Sequence, residues 1–386
     1  MITTEAWVIH QGPPTREPEP AELVLETFSF PDITEDELLV EPIYGCWEGN
    51  MTHTLRRSPI DACRLRGDSK VVVGNAGVVR VLKVGEAIES AREGSLGIVS
   101  AVGDCDEAGY PKTIFAYDAP GTIGLLAKRT KLKEKNFFPI PENTKYSLKQ
   151  WAAFSLRYPT AWDNWRVAYN CWRVQMDEDV CPTPFVWGWG GGVTLAEVSL
   201  ARFLGCRTAM ISSRDERLAV IRELGVTPID RRPFMGLCFD EKRYEADFAY
   251  RKKYLKAEKA FLSVVKEHTR GAGVSIFVDN IGAPVHRATL KALGRQGVIT
   301  TVGWKGGMDL SVTRATECIN RHIHVYTHGA RYSSPIGIHF AEEKGWMPPI
   351  GDDVEVCDWG NIPRLAQKHA EGKITTYFPL YQVNPV

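Results

Sequence analysis

Apolar and polar positions alternate differently along the two halves of the chain. Up to about residue 140 the apolar residues come in short β-branched runs, EDELLVEPIYGCW, SKVVVGNAGVVRVLKVG and LGIVSAVGD, separated by glycine and acidic turns. That pattern predicts strands. The basic stretch AKRTKLKEKNFFPIPENTKYS closes the region with prolines and turn residues. From residue 148 the period changes, and LKQWAAFSLRYPTAWDNWRVAY carries apolar residues at helical spacing, broken by Pro159. An alternation follows: a short apolar segment at 185–187, a helix over about 192–204, a strand at RTAMISS and a helix at RDERLAVIRELG. It continues with a strand at VSIFVDNIG, a helix at PVHRATLKALGRQG and a strand at VITTVGW. Strand–helix alternation at this spacing predicts a parallel sheet with helices on both faces. After residue 330 the pattern is mixed, with GWMPPIGDD, one helix at NIPRLAQKHAEG and a final extended segment.

The alternating half holds the first chemical signal. FVWGWGGGVTLAEVSLARFLG runs from an apolar strand through Gly188, Gly191 and Gly192 into a helix, with Val193, Ala196, Leu200 and Leu204 on one face. A helix N-terminus offers free N–H groups and the positive end of the dipole, and glycine lets backbone approach a phosphate. Trp189 lies within this turn, and Thr194 stands where a third glycine is expected. A second strand ends about 20 residues later, the spacing of a dinucleotide-binding turn. An NAD site usually places Asp or Glu there for the ribose, whereas this chain has Ser212, Ser213, Arg214 and then Arg217. Hydroxyls with guanidinium groups suit a 2′-phosphate, so NADP(H) is the expected cofactor. Between GVTPIDR and VSIFVDN lies the charged DEKRYEADFAYRKKYLKAEKAFLSVVKEH. It reads first as a solvated surface helix or hairpin, and otherwise as a subunit contact or a wall of the adenosine pocket.

Composition narrows the class. The chain has 386 residues, enough for two cores, is 44% hydrophobic and 24% charged, and has zero formal net charge. Zero charge argues against a nucleic-acid or anionic-membrane partner, and the absence of a long uninterrupted apolar run predicts no membrane span. The opening MITTEAWVIHQG lacks a signal-peptide pattern, and the nine cysteines are scattered without a CxxC pair. Reduced thiols, a cytoplasmic location and no structural zinc are therefore expected.

Taken together, AWVIHQG, ELLVEPIYGCW, VVVGNAGVVRVLKVG, YPTAW, VWGWGGGV, SSRDER, FVDNIGAP and LGRQGVITTVG resemble the medium-chain dehydrogenase/reductase superfamily nearly end to end. The resemblance implies an α/β fold in which a Rossmann doubly wound parallel sheet is inserted in a GroES-like β-rich catalytic domain. The implied boundaries are 1–148 for the first catalytic part, 149–331 for the NADP-binding domain and 332–386 for the return. Zinc enzymes of this superfamily hold a catalytic metal with a Cys, a His and a second Cys. This chain keeps Cys46 but has Asn75-Ala76 and Leu156 at the other positions, and only Cys105 in the structural-zinc lobe, so no metal is expected. Within the zinc-independent branch the chain resembles crotonyl-CoA carboxylase/reductase-type enoyl-thioester reductases. The stretch GTIGLLA lacks the Phe–acid pair expected for carbon dioxide capture, which leaves simple reduction.

The resemblance implies cofactor contacts from Thr160, Gly188, Gly191, Gly192, Val193, Ser212, Ser213, Arg214, Arg217, Asn280, Val302, Gly303 and Trp304. For catalysis it points to Glu48, Asn50 and His53 in GCWEGNMTHT, with Cys46 beside them, to Tyr158 before Pro159, and to His328 in VYTHGAR. Trp47 and Trp304 are the aromatic residues expected to face substrate or nicotinamide. The implied activity is NADPH-dependent reduction of an α,β-unsaturated acyl thioester, carried by CoA or a carrier protein, in a homodimer. A zinc-free quinone or enone oxidoreductase acting on a free small molecule is the alternative. A catalytically silent NADP-binding interaction protein is the reading of another class. The run Lys128, Arg129, Lys131, Lys133 and Lys135 would suit a CoA or carrier phosphate, or would simply be a solvated face.

Overall fold

The structure, a computed structural model, describes residues 1–13, 19–303, 305–307, 319, 321–327 and 336–386. The chain forms two compact units, one of residues 1–159 with 331–386 and one of residues 160–330.

In chain order the first unit contains β1 (Ile2–His10), β2 (Val24–Phe30), β3 (Glu37–Cys46), α1 (Gly49–Arg56) and α2 (Ala62–Arg66). It continues with β4 (Lys70–Val71), β5 (Gly77–Val84), β6 (Leu96–Val99), β7 (Thr130–Lys133), β8 (Phe137–Pro139) and α3 (Leu148–Phe154). The β-branched runs are thus strands, and most of their pairing is antiparallel. Strand β3 lies between neighbours in the larger sheet, pairing with β5 and β7. That central place explains its nearly continuous burial. Ser147 caps α3 in a box with Gln150. The helical period read through Pro159 resolves into two helices, α3 and α4 (Arg157–Arg173), with the interruption at Ser155 and Leu156. Pro159 falls in the first turn of α4, where a missing N–H removes no intrahelical bond.

The second unit is built on β9 (Phe185–Trp189), α5 (Gly192–Phe203), β10 (Arg207–Ser212), α6 (Asp215–Glu223) and β11 (Thr227–Asp230). It goes on through α7 (Glu241–Ala246), α8 (Phe248–His268), β12 (Val274–Asp279), α9 (Ala283–Ala292), β13 (Leu293–Thr301) and β14 (His324–Thr327). These strands form one parallel sheet in the order β11-β10-β9-β12-β13-β14, the doubly wound order of a Rossmann fold. The order reverses between β9 and β12, which places the glycine turn at the switch point. Helix α9 ends sooner than its apolar pattern predicts, since Leu293 takes extended backbone and begins β13.

The charged insertion differs from its first reading. It forms α7 and α8, and α8 buries Tyr254, Ala257, Phe261 and Val265 in one core cluster with Trp189 and Phe277. These four residues recur at helical spacing, so α8 is the crossover helix between β11 and β12, with most of its charges exposed and Glu258 buried against Tyr254 and Lys291. Full burial of the Phe261 or Val265 side chain contributes about 1.5–3 kcal/mol. The first unit resumes with α10 (Ile336–Lys344), β15 (Val356–Cys357), α11 (Ile362–Ala370) and β16 (Leu380–Gln382). Strand β16 pairs antiparallel with the end of β3, setting Leu380 opposite Cys46.

Candidate active site

In the second unit the local physics of the glycine turn separates two roles. A Cβ on Gly188 would lie 2.6 Å from Thr194 Cγ2, and one on Gly190 would lie 2.2 Å from Thr194 Oγ1. Gly190 also has φ +155. These glycines therefore serve close packing of α5 on the sheet, and Thr194 fills the space the expected third glycine would leave. Gly191 is different: a Cβ there meets nothing within 4 Å. It is the exposed N-cap of α5, with no side-chain cap, so no capping side chain occupies the first-turn N–H groups of buried Gly192 and half-buried Val193. Trp189 points into the core, stacked on Phe261 at 5.1 Å between ring centroids and packed on Phe277 at 5.0 Å.

Asn280 ties this turn to its neighbours. Its Nδ2 donates to Thr194 Oγ1 at 2.8 Å, and its Oδ1 accepts from Val302 N at 2.9 Å and Gly303 N at 3.1 Å. Its own backbone N–H donates to Trp189 O. One amide thus joins the carboxyl ends of β9, β12 and β13. At the end of β10, Ser212 Oγ accepts from Arg214 N, and Arg214 is the N-cap of α6. Ser213 is exposed, and Arg214 and Arg217 are half-buried. Arg232, which the sequence reading passed over, joins this corner by pairing with Asp215 and Asp230, both at 2.8 Å. Thr160 lies half-buried in α4. Gly188, Gly191, Gly192, Val193, Asn280, Val302 and Gly303 are brought together at the switch point, with Ser212, Ser213, Arg214 and Arg217 one strand away. Trp304 and His328 lie outside the described residues.

In the first unit a buried polar cluster forms where β3 gives way to α1. Glu48 is the N-cap of α1 and is buried. Arg157, also buried, places Nη1 2.5 Å from Glu48 Oε1, and the same nitrogen donates to Cys46 Sγ at 2.8 Å. Its Nη2 donates to the Trp47 carbonyl at 2.9 Å, and the guanidinium lies over the Phe378 ring at 5.6 Å. Burial pushes the Glu48 carboxyl up to about 7 against the pull of Arg157, and pushes the Cys46 thiol up to about 12. Burial works against the charge of Arg157, but Cys46 and Glu48 favour it and the net direction is upward.

Other expected residues surround or leave this cluster. Tyr158 is fully buried among Phe154, Trp346 and Phe378, with its hydroxyl unpartnered among the described residues. Tyr381 shares that condition, and its ring lies against Gly45, where a Cβ would come within 2.2 Å. The side-chain oxygens of Asn50 and Asn75 also lack partners among the described residues. His53 is half-buried, and burial first, then Arg56, lowers its pKa. Trp47 is fully enclosed, its indole N–H donating to Thr52 Oγ1 at 3.0 Å, and it belongs to the core around α1 and α11. That enclosure suits packing rather than the substrate-facing place expected for it. The basic run is largely engaged: Lys131 pairs with Glu37, Lys135 with Asp104, and Lys128 lies over Trp359.

The zinc positions of the fold meet here, and they do not fit a metal. Cys46 N donates to Ala76 O, and Gly77 N donates to Ser155 Oγ, so segments 46, 75–77 and 155–157 converge. The Cys46 sulfur already accepts from a guanidinium, and the Asn75 amide donates to Phe115 O at 3.3 Å. No group of three or more His, Cys, Asp or Glu suited to a metal occurs among the described residues. Sequence reasoning missed Arg157. Its only signal was a lone cation within the apolar WAAFSLRYP, beside Leu156, where the resemblance to zinc enzymes implies a ligand position.

No protein-family model matches the chain. A quinone oxidoreductase-like protein 2 homolog from Nematostella vectensis is 25% identical over 187 residues, covering 48% of this chain and 42% of that protein. The chain therefore spans less than half the length of the curated relative it matches. Among solved structures, a crotonyl-CoA carboxylase/reductase in complex with NADP superposes with TM-score 0.79 at 20% identity, covering 100% of this chain and 95% of the other. A 2-octenoyl-CoA carboxylase reductase with NADP and 2-octenoyl-CoA gives 0.76 at 15%, covering 98% and 87%. An NAD-dependent alcohol dehydrogenase gives 0.75 at 18%, covering 98% and 100%. With its doubly wound sheet set between two stretches of a β-rich unit, the chain has the fold of the medium-chain dehydrogenases/reductases.

Proposed function

We propose that the protein is an NADPH-dependent reductase that adds hydride to the β-carbon of an α,β-unsaturated acyl thioester, enoyl-CoA or enoyl-carrier protein, without catalytic zinc. The observation that carries this reading is the open, uncapped N-terminus of α5 at the switch point, with Ser212, Ser213, Arg214 and Arg217 at the end of the next strand. These residues fit the cofactor: the first-turn amides would hold its pyrophosphate, and the hydroxyls and guanidinium groups its 2′-phosphate. Its bound nicotinamide would supply the hydride. The chain's own task is then to orient the acyl group and deliver a proton to the α-carbon. Glu48 is the assigned acid, because burial leaves its carboxyl with a proton to give near neutral pH. Asn50, His53 and Tyr158 complete the assignment as polar candidates, with His328 and Trp304 retained from the resemblance. A homodimer located in the cytoplasm is part of the same proposal; no described helix is long and apolar enough to cross a membrane.

The likeness to a quinone oxidoreductase-like protein favours one second reading, reduction of a free quinone or enone. The test is NADPH oxidation by the purified protein with crotonyl-CoA, a free enone and a benzoquinone in parallel. Turnover of crotonyl-CoA above the free acceptors is expected, and the reverse order gives the second reading. Tight NADPH binding with no oxidation by any acceptor would leave a cofactor-binding interaction protein. Arg214→Ala and Arg217→Ala should each narrow the preference for NADPH over NADH by about tenfold, the loss of one charge-assisted phosphate contact.

A further inference from the structure

Around Arg157 lie a thiol sulfur and a main-chain carbonyl oxygen that accept its hydrogen bonds, and a Glu48 carboxyl oxygen 2.5 Å from Nη1 in an ion pair. They are the kinds of donor that hold a metal ion, yet here they receive a guanidinium. A metal ion there would have to displace the Arg157 guanidinium, which already takes the Cys46 sulfur and the Trp47 carbonyl at hydrogen-bond distance. A guanidinium needs no deprotonation of its partners, cannot itself be deprotonated, and reaches several acceptors from one plane.

We propose that Arg157 is the resident cation of this cluster, a covalently attached charge that holds Glu48, Cys46 and the Trp47 carbonyl in place of a metal ion. It acts as a positioning residue. The groups facing it are Cys46 at the end of β3, Glu48 at the N-cap of α1 and Tyr158 on α4, while Tyr381 on β16 faces Cys46 and Glu48, and no other cation is in contact with Glu48 among the contacts described. Removing Arg157 would leave the Glu48 carboxyl buried without its counter-charge, which is far more disruptive than removing both members. A second consequence rests on the reading of Glu48 as the acid: the same guanidinium would steady the carboxylate left after proton delivery.

The experiment replaces Arg157 by Ala and measures thermal unfolding and turnover with methylguanidinium or the neutral, similarly shaped methylurea added. A lowered melting temperature, restored by methylguanidinium and not by methylurea, is expected. Equal effects of the two additives would overturn the proposal, since packing rather than charge would then be missing. Where Arg157→Ala does not fold, Arg157→Met combined with Glu48→Gln keeps the test open. The double variant should be more stable than Arg157→Met alone, and equal or lower stability overturns the proposal. Both stability measurements hold whatever the substrate is. Restored stability without any turnover in the native protein would count against the reductase reading alone.

Discussion

Glu197 lies fully buried on α5, with Oε2 accepting from Asn164 Nδ2 at 2.8 Å, and burial pushes its carboxyl from the ordinary 4.5 up to about 8. The folded protein then keeps a proton that the unfolded chain releases. This group's contribution is fully present below about pH 4.5 and is lost as pH rises toward 8. Glu197→Gln, which keeps shape and a hydrogen bond, should flatten the fall of melting temperature across that window; an unchanged slope would refute the assignment. Glu48 contributes with the same sign up to about 7. Neighbouring glycines predict opposite outcomes. Gly190→Ala brings a methyl within 2.2 Å of Thr194 Oγ1 at φ +155 and should destabilise the fold by about 1–3 kcal/mol in urea unfolding. At Gly191 an added Cβ meets nothing within 4 Å, so Gly191→Ala should hold stability while NADPH affinity falls by about tenfold or more, roughly 1.4 kcal/mol. Unchanged affinity would remove the cofactor from α5.

At the scale of elements, the Asn280 side chain ties the first turn of α5 to the segment that follows β13. Asn280→Leu would leave the Thr194 hydroxyl and the Val302 and Gly303 amides without their partner. Thr194 is buried and the two amides are half-buried, so a loss of about 1–3 kcal/mol should appear in denaturant unfolding. Asn280→Asp keeps the acceptor and should recover part of that loss; no difference between the two variants would mean that the amide tie carries no energy. Helix α8 supports the same turn from below, since Phe261 stacks on Trp189. The bulky residue within the glycine turn is thus explained by a helix about 70 residues further along the chain.

For the whole molecule, the cofactor elements belong to the unit of residues 160–330. NADPH at about a hundred times its Kd should therefore raise that unit's stability by about 2.7 kcal/mol, read as an upward shift of its unfolding transition. No shift would refute cofactor binding there. The parallel sheet was legible in the sequence because strand and helix periods alternate cleanly from β9 to β13, with the glycine turn in the first gap. Helix α8 was obscured by its charged outer face, which dilutes a four-residue apolar stripe. Arg157 was invisible for another reason: its partners lie about 110 positions away, and no local pattern encodes that meeting. That meeting has a practical consequence. A charge carried on a side chain is installed at the ribosome, so it cannot be chelated, swapped for a competing ion or left out when trace elements are scarce. Occupancy at this spot is complete in every copy of the chain, and only mutation can change it.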